Sequence, residues 1–251
     1  MPDGGPATRL EGGPSAGLYG GPAAAPEGGL SARPDEVPCV QPEGGAPVRR
    51  YPQGQVRQQL VAAGLELARA GGPEAVVLRE ATRQVGVAPN AAYRHFADRD
   101  ALLRAVCVAA MRELALRMEA RVAQVPGGPR SKRAALARLN AIGAAYLDFA
   151  VTEPGLFRAA FAMPGHLRYA ASGDAAGDSG RGPLQLLCDA LDALVRVKVI
   201  PAERRPDLEF PVWSGVHGLA VLVTQGPLRE LPKAKQEELF ARTLAFLRRA
   251  L

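Results

Sequence analysis

From residue 49 onward, apolar side chains recur every third or fourth position, the period of an amphipathic helix. Val56, Leu60, Ala63 and Leu67 form one such stripe, which stops at Gly71-Gly72-Pro73. A short segment from Leu78 to Val85 ends at Gly86. A second short segment opens on Pro89, a residue favoured at the first helical position. A longer helix is predicted to begin near Asp98 or Asp100, where acidic side chains suit the positive end of the helix dipole; its stripe is Leu102, Val106, Ala110 and Leu114. Beyond the break at Pro126-Gly127-Gly128-Pro129 the period returns in Leu136, Leu139, Ile142, Tyr146 and Phe149. Pro154 opens a short helix carrying Leu156, Phe157 and Phe161. A glycine-rich loop over 171–182 leads to a helix over 184–199, and two further helices are expected near 207–224 and 233–249. No run alternates apolar and polar residues as a half-buried strand would, so the expected fold is all-α.

The first fifty residues break this pattern. Twenty of them are Gly or Pro, and none of the apolar ones is periodic. Such a segment buries too little surface to offset its ordering entropy. The organisation expected is therefore a disordered Gly/Pro-rich tail over 1–48, a helical domain over 49–104 and a second helical domain over 105–251. The net charge of +6 sets an acidic tail against a basic body, with residues 122–251 also at +5, so the positive charge is not confined to one patch. Residues 1–48 hold two arginines against six acids, whereas residues 49–121 hold twelve arginines against seven acids. A basic body suits a polyanionic partner without choosing one. Cys39, Cys107 and Cys188 are odd in number and widely spaced, so neither a disulfide framework nor a metal site is expected. The longest apolar runs fall short of a membrane span and no secretory signal opens the chain, so no membrane partner and a cytoplasmic location are expected.

Two short helices joined through a glycine have the form of a helix-turn-helix. Here the stretch reads LREATRQVGVAPNAAYRHF (78–96), with a longer helix on either side. The second short helix of such a unit enters the major groove of double-stranded DNA. Tyr93, Arg94 and His95 can each donate to phosphate, and phosphate contacts fix register on the duplex. Phe96 cannot donate, and it is expected to anchor the turn in a small core with Leu60, Leu67 and Leu102.

With these residues in view, positions 55 to about 104 resemble the DNA-binding domain of the TetR family of transcriptional regulators. The resemblance rests on Leu78-Arg79-Glu80, Gly86-Val87, Tyr93-Arg94-His95-Phe96, Asp98-Arg99 and Leu102-Leu103. Further on, AYLDFAVTEPGLFRAAF (145–161) and WSGVHGLAVL (213–222) are similar to a TetR branch with a Trp-His-Gly signature in its C-terminal domain. The resemblance implies that Tyr93, His95 and Arg99 bind phosphate, and that Asn90 and Ala91 sit where base edges are read. An asparagine there can pair with adenine and an alanine methyl can touch a thymine methyl. Arg79 is a further phosphate candidate. Val77 and Ala88 depart from the family pattern, which has Ser or Thr capping both short helices. Each lost cap costs about 1 kcal/mol and removes a phosphate-binding group, so either non-specific DNA affinity is weaker or Arg49, Arg50 and Tyr51 compensate.

The resemblance also implies a homodimer on a near-palindromic operator, paired through the last two helices. Val212, Val216, Ala220 and Val223 form one stripe of the penultimate helix, with Trp213 and His217 on a neighbouring face; Leu239, Phe240, Thr243, Phe246 and Leu247 continue the theme on the last. A helix apolar on two faces needs two partners, here either a second protomer or a deeper monomer core. Tyr146, Phe149, Phe157, Phe161, Met163, Trp213 and His217 either wall a pocket for a small-molecule effector of unknown identity or fill a core. Buried Tyr and Trp tips need partners, and an apolar pocket holding a few polar groups is the usual form of a ligand site.

The function expected is a sequence-specific DNA-binding regulator, a repressor released from its operator by a ligand. The alternatives are a helical enzyme acting on an apolar molecule in that pocket, and a ligand-free regulator controlled by a protein partner. No phosphate loop, metal cluster or nucleophile–base spacing supports the enzyme, and no cofactor is expected. Gly177-Asp178-Ser179-Gly180 resembles the segment around a protease nucleophile, but that chemistry needs a histidine base and a buried aspartate on β-barrels.

Overall fold

The computed structural model describes residues 54–164 and 173–251. The tail over 1–48, the expected roles of Arg49, Arg50 and Tyr51, and His166 therefore lie outside the described residues. Among the described residues the regular structure is entirely helical. Helix α1 spans Gln55–Gly71, α2 Leu78–Val85, α3 Pro89–Tyr93 and α4 Arg99–Ala123. Then come α5 (Lys132–Thr152), α6 (Pro154–Ala160), α7 (Pro183–Arg196), α8 (Glu209–Thr224) and α9 (Lys233–Ala250).

Local chemistry sets most of these limits. Asp98 caps α4 by accepting from the Ala101 N–H at 2.7 Å, and Ser131 caps α5 through the Ala134 N–H at 3.2 Å. Gly86 ends α2 in the left-handed region, at φ 72°, where a side chain would be strained. Pro89 and Pro154 open α3 and α6 with φ already set. As the sequence suggested, Val77 and Ala88 give no side-chain cap to α2 and α3.

The long α4 is the central strut: α1, α5, α6 and α7 all pack on it. One buried cluster starts in the small domain with Leu60, Phe96 and Leu102 and runs along α4 into Tyr146 and Phe157 of the larger one. A second cluster gathers Leu187, Leu191, Leu194, Ile200 and Val212.

The smaller and the larger helical domain are joined tightly at α6. A β-carbon added to Gly155 would lie 2.1 Å from the Ala68 carbonyl oxygen, so only hydrogen fits between α6 and the end of α1. Around this contact Arg69 of α1 reaches Glu66, Glu113 at 2.7 Å and Glu153 at 3.3 Å. Arg117 of α4 meets the same two carboxylates, Glu113 at 3.1 Å and Glu153 at 3.0 Å. Burial pulls the Arg69 pKa down, but Glu113, Glu66 and Glu153 outweigh it and raise the guanidinium further.

Two expectations need correction. Val212, Val216, Ala220 and Val223 are all buried within the monomer, so that stripe of α8 is a core stripe and cannot meet a second protomer. The outward ridge of α8 is instead Phe210 (42% exposed), Ser214, Gly218 and Leu222 (41% exposed). On α9 no residue is buried: Phe246 is 64% exposed, while Leu239, Phe240, Thr243 and Leu247 are half-buried. Also, α5 is long and apolar enough to cross a membrane by length and composition, contrary to the expectation that no stretch is. Half of its most apolar window is buried inside the protein, against α4, α7 and α8, as in a core helix.

Candidate functional site

The helix-turn-helix forms because α2 has one buried face, Leu78, Ala81 and Thr82, seated on α1. The left-handed turn at Gly86 then swings α3 outward. Only Ala92 of α3 is buried. Asn90, Tyr93 and Arg94 are exposed, Tyr93 by 60%, and Ala91 and His95 are half-exposed. Phe96 is buried as expected, with the Arg57 guanidinium carbon 5.3 Å from its ring centre. The tetrad Tyr93-Arg94-His95-Phe96 thus divides, three residues outward and one inward.

Arg79 is exposed at the start of α2. Arg99 is not a free cation: its Nη2 donates to the Pro73 carbonyl at 2.6 Å and its Nη1 lies 3.5 Å from Asp100. It braces the turn between α1 and α2. Val77 is 43% exposed at the same surface. No side chain of Val77 caps the first turn of α2.

A second concave feature lies in the larger domain. A narrow cavity, with free volume of about 70 Å³, runs between α4, α5, α7, α8 and α9. Tyr146, Phe161 and Trp213 reach it from the predicted set. The Trp213 indole N–H donates to the Tyr146 hydroxyl at 3.3 Å, and that hydroxyl lies 2.6 Å from His217 Nδ1. Burial pushes the Tyr146 pKa up, so the phenol stays protonated.

Five of the predicted side chains form one ring cluster. Phe161 lies 4.8 Å from His217 and 5.2 Å from Phe157 between centres, and Trp213 lies 5.5 Å from His217. Tyr146 meets Phe157 edge-on at 5.8 Å. Phe157 and His217 face a second, more polar cleft of about 390 Å³, bounded also by Pro73, Glu74, Arg158 and Gln225, and Phe161 borders both spaces. Phe149 and Met163 line neither. Phe149 is fully buried with the Arg117 guanidinium carbon 5.1 Å from its ring, and Met163 packs against the core. The sequence reading missed Met111 and Met118 of α4, and Asn140, Gly143 and Arg248, as cavity walls. Gly143 was the available signal, since a glycine within an apolar helical stripe marks close approach: a β-carbon there would meet Leu244 at 2.5 Å.

Other reactive groups are engaged structurally. The buried Cys107 thiol donates to the Ala160 carbonyl at 2.8 Å, and burial pushes its pKa up to about 11, far from a nucleophilic thiolate. The Gly177-Asp178-Ser179-Gly180 segment holds a carboxylate. The Asp178 and Ser179 N–H groups, at 2.9 and 3.1 Å, and the Ser179 hydroxyl all donate to Glu119 of α4. Among the described residues no three of His, Cys, Asp and Glu gather as a metal site.

Comparison with known proteins places both halves. Residues 60–106 match the family described as bacterial regulatory proteins, tetR family, and residues 139–247 match the tetracyclin repressor-like C-terminal domain. No curated protein matches the chain. Among solved structures, a protein of unknown function from Rhodococcus sp. RHA1 shares 24% identity, with 80% of this chain and 97% of that one covered and a TM-score of 0.61. A candidate transcriptional regulator from Pseudomonas aeruginosa PAO1 shares 18% identity, over 79% and 93% of the two chains, with a TM-score of 0.55. A candidate tetR family transcription regulator from Shewanella sp. PV-4 shares 19%, over 78% and 97%, with a TM-score of 0.50. These three share the fold. The two family matches fall one on each helical domain, and by them the chain belongs to the TetR family and is a DNA-binding transcriptional regulator.

Proposed function

We propose that this regulator is a homodimeric repressor that occupies a near-palindromic operator and leaves it when an apolar small molecule enters the cavity between α4, α5 and α8. The observation that carries the DNA part is α3: a helix with one buried residue that presents Asn90, Tyr93, Arg94 and His95 to solvent. Asn90 and Ala91 read bases, while Tyr93, Arg94, His95 and Arg79 hold phosphates. Arg99 serves this surface by bracing it. Trp213, His217 and Gly218 keep the spacing of the branch with the Trp-His-Gly signature. Measuring operator affinity across salt concentrations tests this reading. Affinity is expected to fall steeply as salt rises, because each neutralised phosphate releases counterions; binding indifferent to salt rejects it.

Two-fold pairing follows from the outward faces of α8 and α9. Phe210, Leu222 and Phe246 are large apolar side chains left open on adjacent helices, and Ser214 and Gly218 between them allow close approach of a second helix. Phe246→Glu is expected to shift the protein from dimer to monomer in sedimentation with its helical content intact, since that side chain touches little in the protomer. A dimer unchanged by the substitution moves the interface elsewhere. In the release step, a ligand must bind better to a state whose two α3 helices no longer match successive major grooves. The coupling element is α6, which holds Gly155 against the end of α1 and is followed directly by Phe161 against the cavity.

A further inference from the structure

The shape and the two polar ends of the cavity go further than an apolar ligand in general. Along α5 its wall extends from Leu136 to Tyr146, about 15 Å of helix at 1.5 Å per residue. A free volume of about 70 Å³ along such a length is a slot and not a chamber. Met111 and Met118 stand along one side, and their unbranched, adaptable side chains let a slot widen around a guest.

The side chains of the walls are hydrocarbon except at two places. At the inner end are the Tyr146 hydroxyl and Trp213 indole, already bonded to each other. At the mouth are Asn140 of α5 and Arg248 of α9. The close contact of Gly143 with Leu244 fixes the register of these two helices. Arg248 lies one turn beyond Leu244, and Asn140 about one turn before Gly143, on the same stretch of wall. Both are exposed. The ion pairs of α9 involve Lys233, Lys235 and Arg242, so Arg248, the only charged side chain of the lining, is in no ion pair among the described residues; Leu251 of the same lining accepts from Arg204 at 3.2 Å. Arg248 also points to the opposite face of α9 from Phe246, two residues away in a helix, so pairing through Phe246 leaves it open.

We infer that the effector is an unbranched aliphatic chain with a carboxylate head, the tail in the slot toward Tyr146 and Trp213 and the head on Arg248 and Asn140. A guanidinium offers a planar fork that fits a carboxylate, and at the rim neither group loses its water until the ligand is seated. The inference rests on the proposal that this cavity is the effector site, and it deepens that proposal by naming the chemistry.

Trp213 is the only tryptophan of the chain and it lines the slot, so its emission reports filling directly. Decanoate added to the full-length protein is expected to change that emission saturably. The uncharged 1-decanol and methyl decanoate are expected to bind about tenfold more weakly, as suits the loss of one charge-assisted hydrogen bond. Arg248→Gln is expected to bring decanoate down to the level of 1-decanol without altering 1-decanol itself, while Arg249→Gln, exposed and outside the lining, keeps the preference. Equal affinity for decanoate and 1-decanol in the unaltered protein overturns the inference, as does a preference that survives Arg248→Gln. Tighter binding of naphthalene than of decanoate, or no saturable change with any chain, overturns it too. Operator binding by the ligand-free protein, measured in parallel, is the separate readout for the regulator. Its failure with decanoate selectivity intact removes the repressor proposal and leaves the chain-binding slot standing.

Discussion

Gly155→Ala is expected to lower the melting temperature by several degrees, from the addition of a single methyl group. The new carbon would stand 2.1 Å from the Ala68 carbonyl oxygen, with the Arg69 carbonyl oxygen at 2.8 Å. Both are backbone atoms that no side-chain rotation can move. Either α6 or the end of α1 must shift, and overpacking of this kind costs about 1–3 kcal/mol. In a chain of this size each kcal/mol lowers the melting temperature by about 2–4 °C. The end of α1 carries Arg69 and α6 follows directly on Glu153, both paired with Glu113 or Arg117 of α4, so the ion-pair cluster should loosen when either helix shifts. Gly128→Ala is the control, since nothing lies within 4 Å of its added carbon. Equal melting of the two variants would mean that α6 and α1 do not bear on one another as described. Operator affinity gives the second readout: a shifted α1 tilts α2 and α3, so Gly155→Ala should also bind DNA more weakly.

The second large effect is expected on DNA alone. The double substitution Tyr93→Ala with Arg94→Ala should cost operator affinity by about a hundredfold or more, because hydrogen bonds to charged groups contribute about 1.5–3 kcal/mol each. Removal of one arginine–phosphate contact should also reduce the salt slope by about one. Melting temperature should not change, since both side chains are exposed and Tyr93 is open by 60%. That combination separates a contact with nucleic acid from a structural role. An affinity within threefold of the parent protein, checked by fluorescence anisotropy on the operator, is the outcome that sinks the assignment of α3.

The parts of this architecture written in local chemistry were legible. Helices α2, α3 and α6 begin or end where Gly86, Pro89 and Pro154 leave the backbone little choice. The ring cluster was legible for a related reason: Trp213 and His217 stand one turn apart on α8, Phe157 and Phe161 one turn apart on α6, and rings so placed must share a neighbourhood once the helices pack. Which side of α8 faces inward was not legible. Val212-Val216-Ala220-Val223 and Phe210-Ser214-Gly218-Leu222 are both plausible faces of one helix, and only the position of α5 decides between them. Arg99 shows a similar limit. Its place in the sequence suggests a phosphate contact, but the nearest acceptor is the Pro73 carbonyl, brought close by the fold of the turn after α1. Asn140 and Arg248 belong to one wall only because two helices distant in sequence lock together at Gly143.

Phe161 and its ring neighbour His217 form a partition with a different room on each side: the greasy slot behind, and in front the wetter recess closed by Glu74 and Arg158. On the proposed release step, a guest that widens the slot would press on this partition and narrow the recess. The Arg158–Glu74 pair, 2.5 Å long, is the clasp across that recess between α6 and the turn that follows α1. Chemical occupancy would thus arrive at the gene as displaced volume, carried by two rings set edge to face and felt at one clasp.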